Sequence, residues 1–189
     1  MPNEALSSLD LFLLQLILTG IDTPYMFRER ANLSIGATIP ALQRMEEKGL
    51  IARQKKEGRN KQRYLLTTKG KRYLSTQLPV LLAEYIERPP TDIESLLRAV
   101  ALATAQARPE SVTAMLDAAV RERNIRRTLI PEPTTVDLRR IEDSYHFFIG
   151  RIASAQLEAE ASALTRLAKF LSGRTSPKKI IFLQRNKCS

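Results

Sequence analysis

Between Arg53 and Arg63 the chain reads RQKKEGRNKQR, with six cations (Arg53, Lys55, Lys56, Arg59, Lys61 and Arg63) and a single acid, Glu57. One carboxylate cannot neutralise six cations, and guanidinium and ammonium groups at this density suit phosphate oxygens. Such contacts supply affinity and salt dependence rather than sequence choice. Just before them lies LSIGATIPALQRMEEKGLI, residues 33–51. Its apolar residues have a helical period, yet it holds Gly36 and Pro40, which cost a helix interior about 1 and about 3 kcal/mol relative to alanine. On a helical wheel Ile35, Thr38, Leu42 and Met45 share the side expected to face a core. Gly36, Ala37, Pro40, Arg44 and Lys48 fall on or near the other side. A glycine in the first turn after the Ser34 cap would let a polyanion backbone come close to exposed N–H groups. Arg44 has the side chain for a bidentate contact with a guanine edge, and could equally hold a phosphate or Glu47.

Other chemistry is sparse. His146 is the one histidine, set between Tyr145 and Phe147 with no nucleophile pattern beside it, and reads as a packed or partly exposed polar residue. Cys188 is the one cysteine. It allows no internal disulfide and no thiolate metal cluster, in keeping with a reducing cytoplasm. No glycine-rich phosphate loop, histidine metal motif or paired-carboxylate motif stands out. No catalytic residue, metal ligand or cofactor is assigned, and an enzyme is not expected. Tyr145, Phe147 and Phe148 form an aromatic group suited to core packing, or to lining a ligand pocket where subunits meet.

The charge is segregated. Of the net +10, residues 1–79 carry 13 Lys/Arg against 7 Asp/Glu, residues 80–172 carry 12 against 13, and residues 173–189 carry five cations and no acid. A basic segment joined to a balanced one points to a polyanionic partner for the basic part. The apolar run Leu9–Leu18 holds Asp10 and Gln15 and is too short to span a bilayer. The residues before it are acidic where a signal peptide is basic. A soluble, cytoplasmic protein is expected.

The elements that must position these groups follow from caps and period. Leu6–Thr19 predicts a helix ended by Gly20, apolar on nearly every side and so in need of neighbours on two sides. Thr23 and Pro24 start a short helix to Ala31. Ser34 starts the next, which Gly49 stops. Leu50–Lys56 and Gln62–Thr67 read as a hairpin around EGRN. Thr68 caps a helix that Pro79 should end or kink. The order helix, helix, helix, hairpin, helix is that of a winged helix-turn-helix.

Ser34 with Gly36, Pro40-Ala41-Leu42, Met45-Glu46 with Gly49-Leu50, and Tyr64 with Leu66-Thr67 and Gly70 together resemble the PadR-like winged-helix regulators over about 70 residues. The family often has Thr-Leu-Tyr where this chain has Ala37-Thr38-Ile39, and a Gly-Tyr-Glu-Leu-like start to the second helix where it has TPYMFRE. The resemblance implies a DNA-binding regulator; the altered helix start means that an operator sequence does not carry over.

The C-terminal half resembles the family's longer members more loosely. Two helices broken at Pro109 lead to a linker at Pro131 and Pro133, and then to a helix from about Thr135 to Leu171, roughly 55 Å long. Leu138, Ile141, Tyr145, Phe148, Ile152, Ala155 and Ala159 form one coiled-coil-like seam. Leu157, Ala161, Leu164, Ala168 and Leu171 form a second on a shifted face, so two neighbours are expected.

The expected architecture is mainly α. Residues 1–79 form a winged helix-turn-helix DNA-binding domain, residues 80–172 a helical dimerisation domain, and residues 173–189 a basic tail. Ser34, Gly36, Ala37, Pro40, Arg44 and Lys48 are the expected recognition-helix contacts, with the six cations of residues 53–63 as wing contacts. Leu11, Leu14, Leu18, Leu138, Ile141, Tyr145, Phe148 and Ile152 are the expected dimer interface. The partners are double-stranded DNA, a second copy of the chain and, where one acts, a small-molecule effector. The membrane is not among them. The competing reading is a winged-helix protein-interaction module without sequence-specific DNA binding.

Overall fold

The computed structural model describes residues 6–55, 62–106, 108–131, 137 and 139–173. Helices α1 (Ser8–Leu18), α2 (Pro24–Ala31) and α3 (Ile35–Glu47) precede strands β1 (Ile51–Lys55) and β2 (Gln62–Leu66). Then come α4 (Thr68–Glu87), α5 (Ile93–Ala105), α6 (Pro109–Thr128) and α7 (Ile141–Ser172). The strands pair antiparallel with Arg53 opposite Tyr64. The fold is mainly helical, with a winged helix-turn-helix in its N-terminal part.

Local chemistry explains the starts of these helices. The Ser7 hydroxyl accepts the Asp10 N–H while the Asp10 carboxylate accepts the Ser7 N–H, a reciprocal capping box. Thr23, Ser34 and Asp92 cap α2, α3 and α5 through their side chains. Thr67, one residue earlier than expected, caps α4. Pro79 does not end α4. It removes one amide from the ladder, but Leu78 and Leu82 on either side of it are buried, and the helix continues to Glu87. The long helix begins at Ile141, after extended Arg140, rather than at Thr135.

By contact the chain divides into two compact units, residues 1–118 and 119–189. In the first, α1 lies at the centre and packs against α3, α4, α5 and β2. Its two apolar sides are thus both covered within its own unit, with α5 as one of the neighbours. Leu14 is 0% exposed and Leu11 is buried beside it. Neither has surface left for a partner, which corrects their assignment to a dimer interface. Leu18, at the end of the helix, is 49% exposed.

A close approach fixes the wing to the helices. A Cβ at Gly70 would overlap the carbonyl oxygen of Leu50, so only glycine lets the first turn of α4 lie against the start of the wing. The Thr67 hydroxyl donates to the carbonyls of Gly49 (2.8 Å) or Leu50 (3.1 Å), and Lys69 Nζ donates to the Lys48 carbonyl at 2.8 Å.

In the second unit, Arg123 of α6 is fully buried. Its Nη1 lies 3.1 Å from Glu122 Oε2 and its Nε 3.3 Å from Glu160 Oε2 on α7. Two carboxylates around one buried guanidinium offset a desolvation cost that one alone would leave largely unmet. Along α7 the two predicted seams part company. Ala161 and Leu164 are buried, Leu164 to 2% exposure, and Leu157, Ala168 and Leu171 are half-buried. Ile141 (84% exposed), Tyr145, Phe148 and Ile152 (67%) face outward. Leu138 of that seam lies outside the described residues.

Candidate nucleic-acid interface

The surface of α3 follows from its packing. Thr38, Ala41, Leu42 and Met45 enter the core. Ile35 does not: it is 53% exposed, because the buried arc is centred nearer Ala41 than the wheel suggested. Ala41 lies fully in the core. The outward residues are Ile35, Gly36, Ala37, Pro40, Gln43, Arg44 and Glu47.

Gly36 and Pro40 are one unit. The helical partner of the Gly36 carbonyl would be the amide of residue 40, which proline lacks, and a proline ring crowds the carbonyl four residues before it. A Cβ at Gly36 would meet nothing within 4 Å, and its φ is not left-handed. Nothing in the subunit's own packing therefore requires this glycine. Ser34 is exposed, with its hydroxyl accepting the Ala37 N–H at 3.3 Å.

Arg44 and Glu46, two of the charged members of α3, are engaged. The Arg44 Nη2 donates to Oδ1 of Asp10, a buried carboxylate, at 2.9 Å. Glu46 accepts from the Arg53 guanidinium, and this bond raises the Arg53 pKa further, with Tyr64 and the Glu46 charge adding to it. Arg53 also lies over the Tyr64 ring, 5.9 Å from its centroid. Lys48 is half-buried, and its carbonyl receives Lys69.

On the second strand Arg63 Nε sits 3.4 Å from Asp22 Oδ1. That oxygen has no hydrogen bond among the described residues, so the contact is ionic rather than a directed bond. The Asp22 carbonyl accepts the Tyr64 N–H at 2.8 Å, tying the turn after α1 to the wing. Glu46 and Asp22, from outside the hairpin, hold the two wing arginines whose side chains are described. The Lys55 side chain, Lys56, Arg59 and Lys61 lie outside the described residues, as do Glu57 and the basic tail beyond Gly173.

The segment from α2 to the first half of α4 therefore presents a helix with a bare outer face beside a strongly basic hairpin. Residues 26–76 match the model of the transcriptional regulator PadR-like family. The matched PadR-like segment starts inside α2, includes all of α3, β1 and β2, and ends inside α4. The PadR-like family consists of transcriptional regulators, typically DNA-binding, rather than enzymes. No curated protein matches the chain.

Two further features lie outside the PadR-like segment. A cavity of about 610 Å³ in the second unit is lined by residues including Arg127, His146, Phe147, Arg151 and Glu158. Phe147 lines this cavity, while Tyr145 and Phe148, grouped with it in the sequence, are exposed on the outer seam of α7. Among the described residues no helix is long and apolar enough to cross a membrane, and no group of His, Cys, Asp and Glu side chains is placed to hold a metal ion.

Gln43 is a surface residue of α3 that the sequence reading did not pick out, because it is uncharged between more conspicuous neighbours. Its signal is its place in the series 36, 40, 43, 47, which steps by four, three and four along one face.

Proposed function

We propose that the protein is a dimeric transcriptional repressor of the cytoplasm that binds a palindromic operator. The observation that carries this is the outward pair Gly36 and Pro40. Both weaken α3, the subunit's packing does not require Gly36, Pro40 is exposed, and together they leave a bare surface where a phosphate backbone can approach. In this reading residues 1–79 carry the DNA-binding surface, residues 80–172 the pairing surface, and residues 173–189 a basic tail. The helix α3 enters the major groove through Ser34, Gly36, Ala37 and Pro40, while Arg53, Lys55, Lys56, Arg59, Lys61 and Arg63 meet flanking phosphates. Pairing through Ile141, Tyr145, Phe148 and Ile152, with Leu18 as a second exposed point, spaces two recognition helices by about 34 Å, one turn of DNA. A small-molecule effector acts by shifting that spacing.

The test is selection from a pool of random duplex DNA with the full chain at moderate salt, followed by sequencing of the bound fraction. An enriched palindrome with half-sites one turn apart is expected. Binding that weakens with salt but enriches no sequence counts against operator recognition. No binding at low salt would make α3 and the wing a protein-docking surface instead.

A further inference from the structure

Resting on the DNA-binding reading, we infer that Gln43 is the residue of α3 that reads a base, and that the base is adenine. The stripe Gly36, Pro40, Gln43 and Glu47 runs along the outward face of the helix. Gly36 and Gln43 are seven residues apart, about 10 Å along the axis, a length that fits within the major groove. Gly36 brings the backbone close at one end. Pro40 offers no donor. Glu47 can only accept, and its charge repels phosphates. Gln43 alone on this stripe has a side chain that both donates and accepts, the pattern that matches adenine N6 and N7.

The charged neighbours do not compete for this role. Arg44 is turned to Asp10 and Glu46 to Arg53, so each is already held by the fold. The Gln43 amide is exposed and makes no hydrogen bond to another described residue. Arg44 is thus a positioning residue that sets the helix, and Gln43 is the residue presented by it.

The experiment compares the selected DNA of the wild-type chain with that of Gln43→Ala and Gln43→Lys. The exposed position leaves the fold intact, which circular dichroism verifies for each variant. The wild-type half-site is expected to hold an A·T pair at one position. Gln43→Ala flattens that position alone and lowers affinity for the wild-type site by roughly 5- to 150-fold. Gln43→Lys, which donates but cannot accept, shifts the same position towards guanine. An unchanged base preference in Gln43→Ala overturns the inference, as does an equal loss of preference at every position. A wild-type chain that binds DNA but enriches no sequence overturns it too, while a wild-type chain that binds no DNA overturns the DNA-binding reading beneath it.

Discussion

The Arg44 guanidinium reaches back 34 residues to Oδ1 of Asp10, at 2.9 Å. The other carboxylate oxygen, Oδ2, accepts the Ser7 N–H and the Ser7 hydroxyl, each at 2.9 Å. One buried side chain therefore caps α1 and anchors α3 to it. Asp10→Ala removes both functions and leaves Arg44 without its partner on the protein. Unfolding free energy in denaturant titrations is expected to fall by about 2 kcal/mol. Because the orientation of α3 loosens, DNA affinity should fall by a similar factor for every sequence tested. A loss confined to one base position would show that Arg44 itself reads bases.

Gly36→Ala separates stability from binding. The added methyl meets nothing within 4 Å, and alanine is the better helix former by about 1 kcal/mol. The variant should be more stable by up to that amount and bind DNA more weakly, since the methyl stands between the helix backbone and the phosphates. Melting temperature and affinity, measured on the same preparation, are expected to move in opposite directions. A variant that gains stability and keeps full affinity would mean that the glycine does not serve the approach of DNA.

Wing charges should not contribute equally. Arg53 is bonded to Glu46 and Arg63 lies beside Asp22, so part of each charge is already offset within the protein. Replacing Lys56, Arg59 or Lys61 by alanine should flatten the dependence of log affinity on log salt by about 0.9 for each phosphate no longer neutralised. Arg53→Ala and Arg63→Ala should change the slope less. Affinity titrations over a series of salt concentrations measure this directly, and equal slopes for all the variants would mean that the two ion pairs open on DNA.

The order of elements and their caps were legible because they are local. Ser34, Thr23 with Pro24, and Gly49 announce their helix ends through chemistry within a few residues. The partners of Arg44, Arg53 and Arg63 were not legible, since Asp10, Glu46 and Asp22 reach them only through the tertiary fold. The same holds for α1. Its apolar surface correctly demanded two neighbours, but period cannot say whether the second is α5 of the same chain or another subunit. Gly70 belongs to the sequence pattern, but its reason, the Leu50 carbonyl lying where a Cβ would be, is a contact across the fold. On α7 the sequence did separate the two seams, because a shift of face along one helix is itself a local property. It could not say which seam would be turned inward.

The two seams now make opposite predictions. Leu164 is buried inside the subunit, so Leu164→Ala should lower stability by about 2–5 kcal/mol and leave the oligomeric state unchanged. Ile152 is exposed in a row with Ile141, Tyr145 and Phe148, an apolar stripe that a soluble monomer would have little reason to keep. Ile152→Glu should leave the subunit folded but place a charge in the middle of the proposed pairing surface, where it would lose its hydration. Sedimentation velocity is expected to show a dimer for the wild-type chain and for Leu164→Ala, and a monomer for Ile152→Glu. The monomer should then bind a single half-site with much reduced affinity for the full operator, because the second recognition helix is no longer tethered to the first. If Ile152→Glu remains a dimer, the subunits meet elsewhere, and the spacing of half-sites would have to be set by another surface.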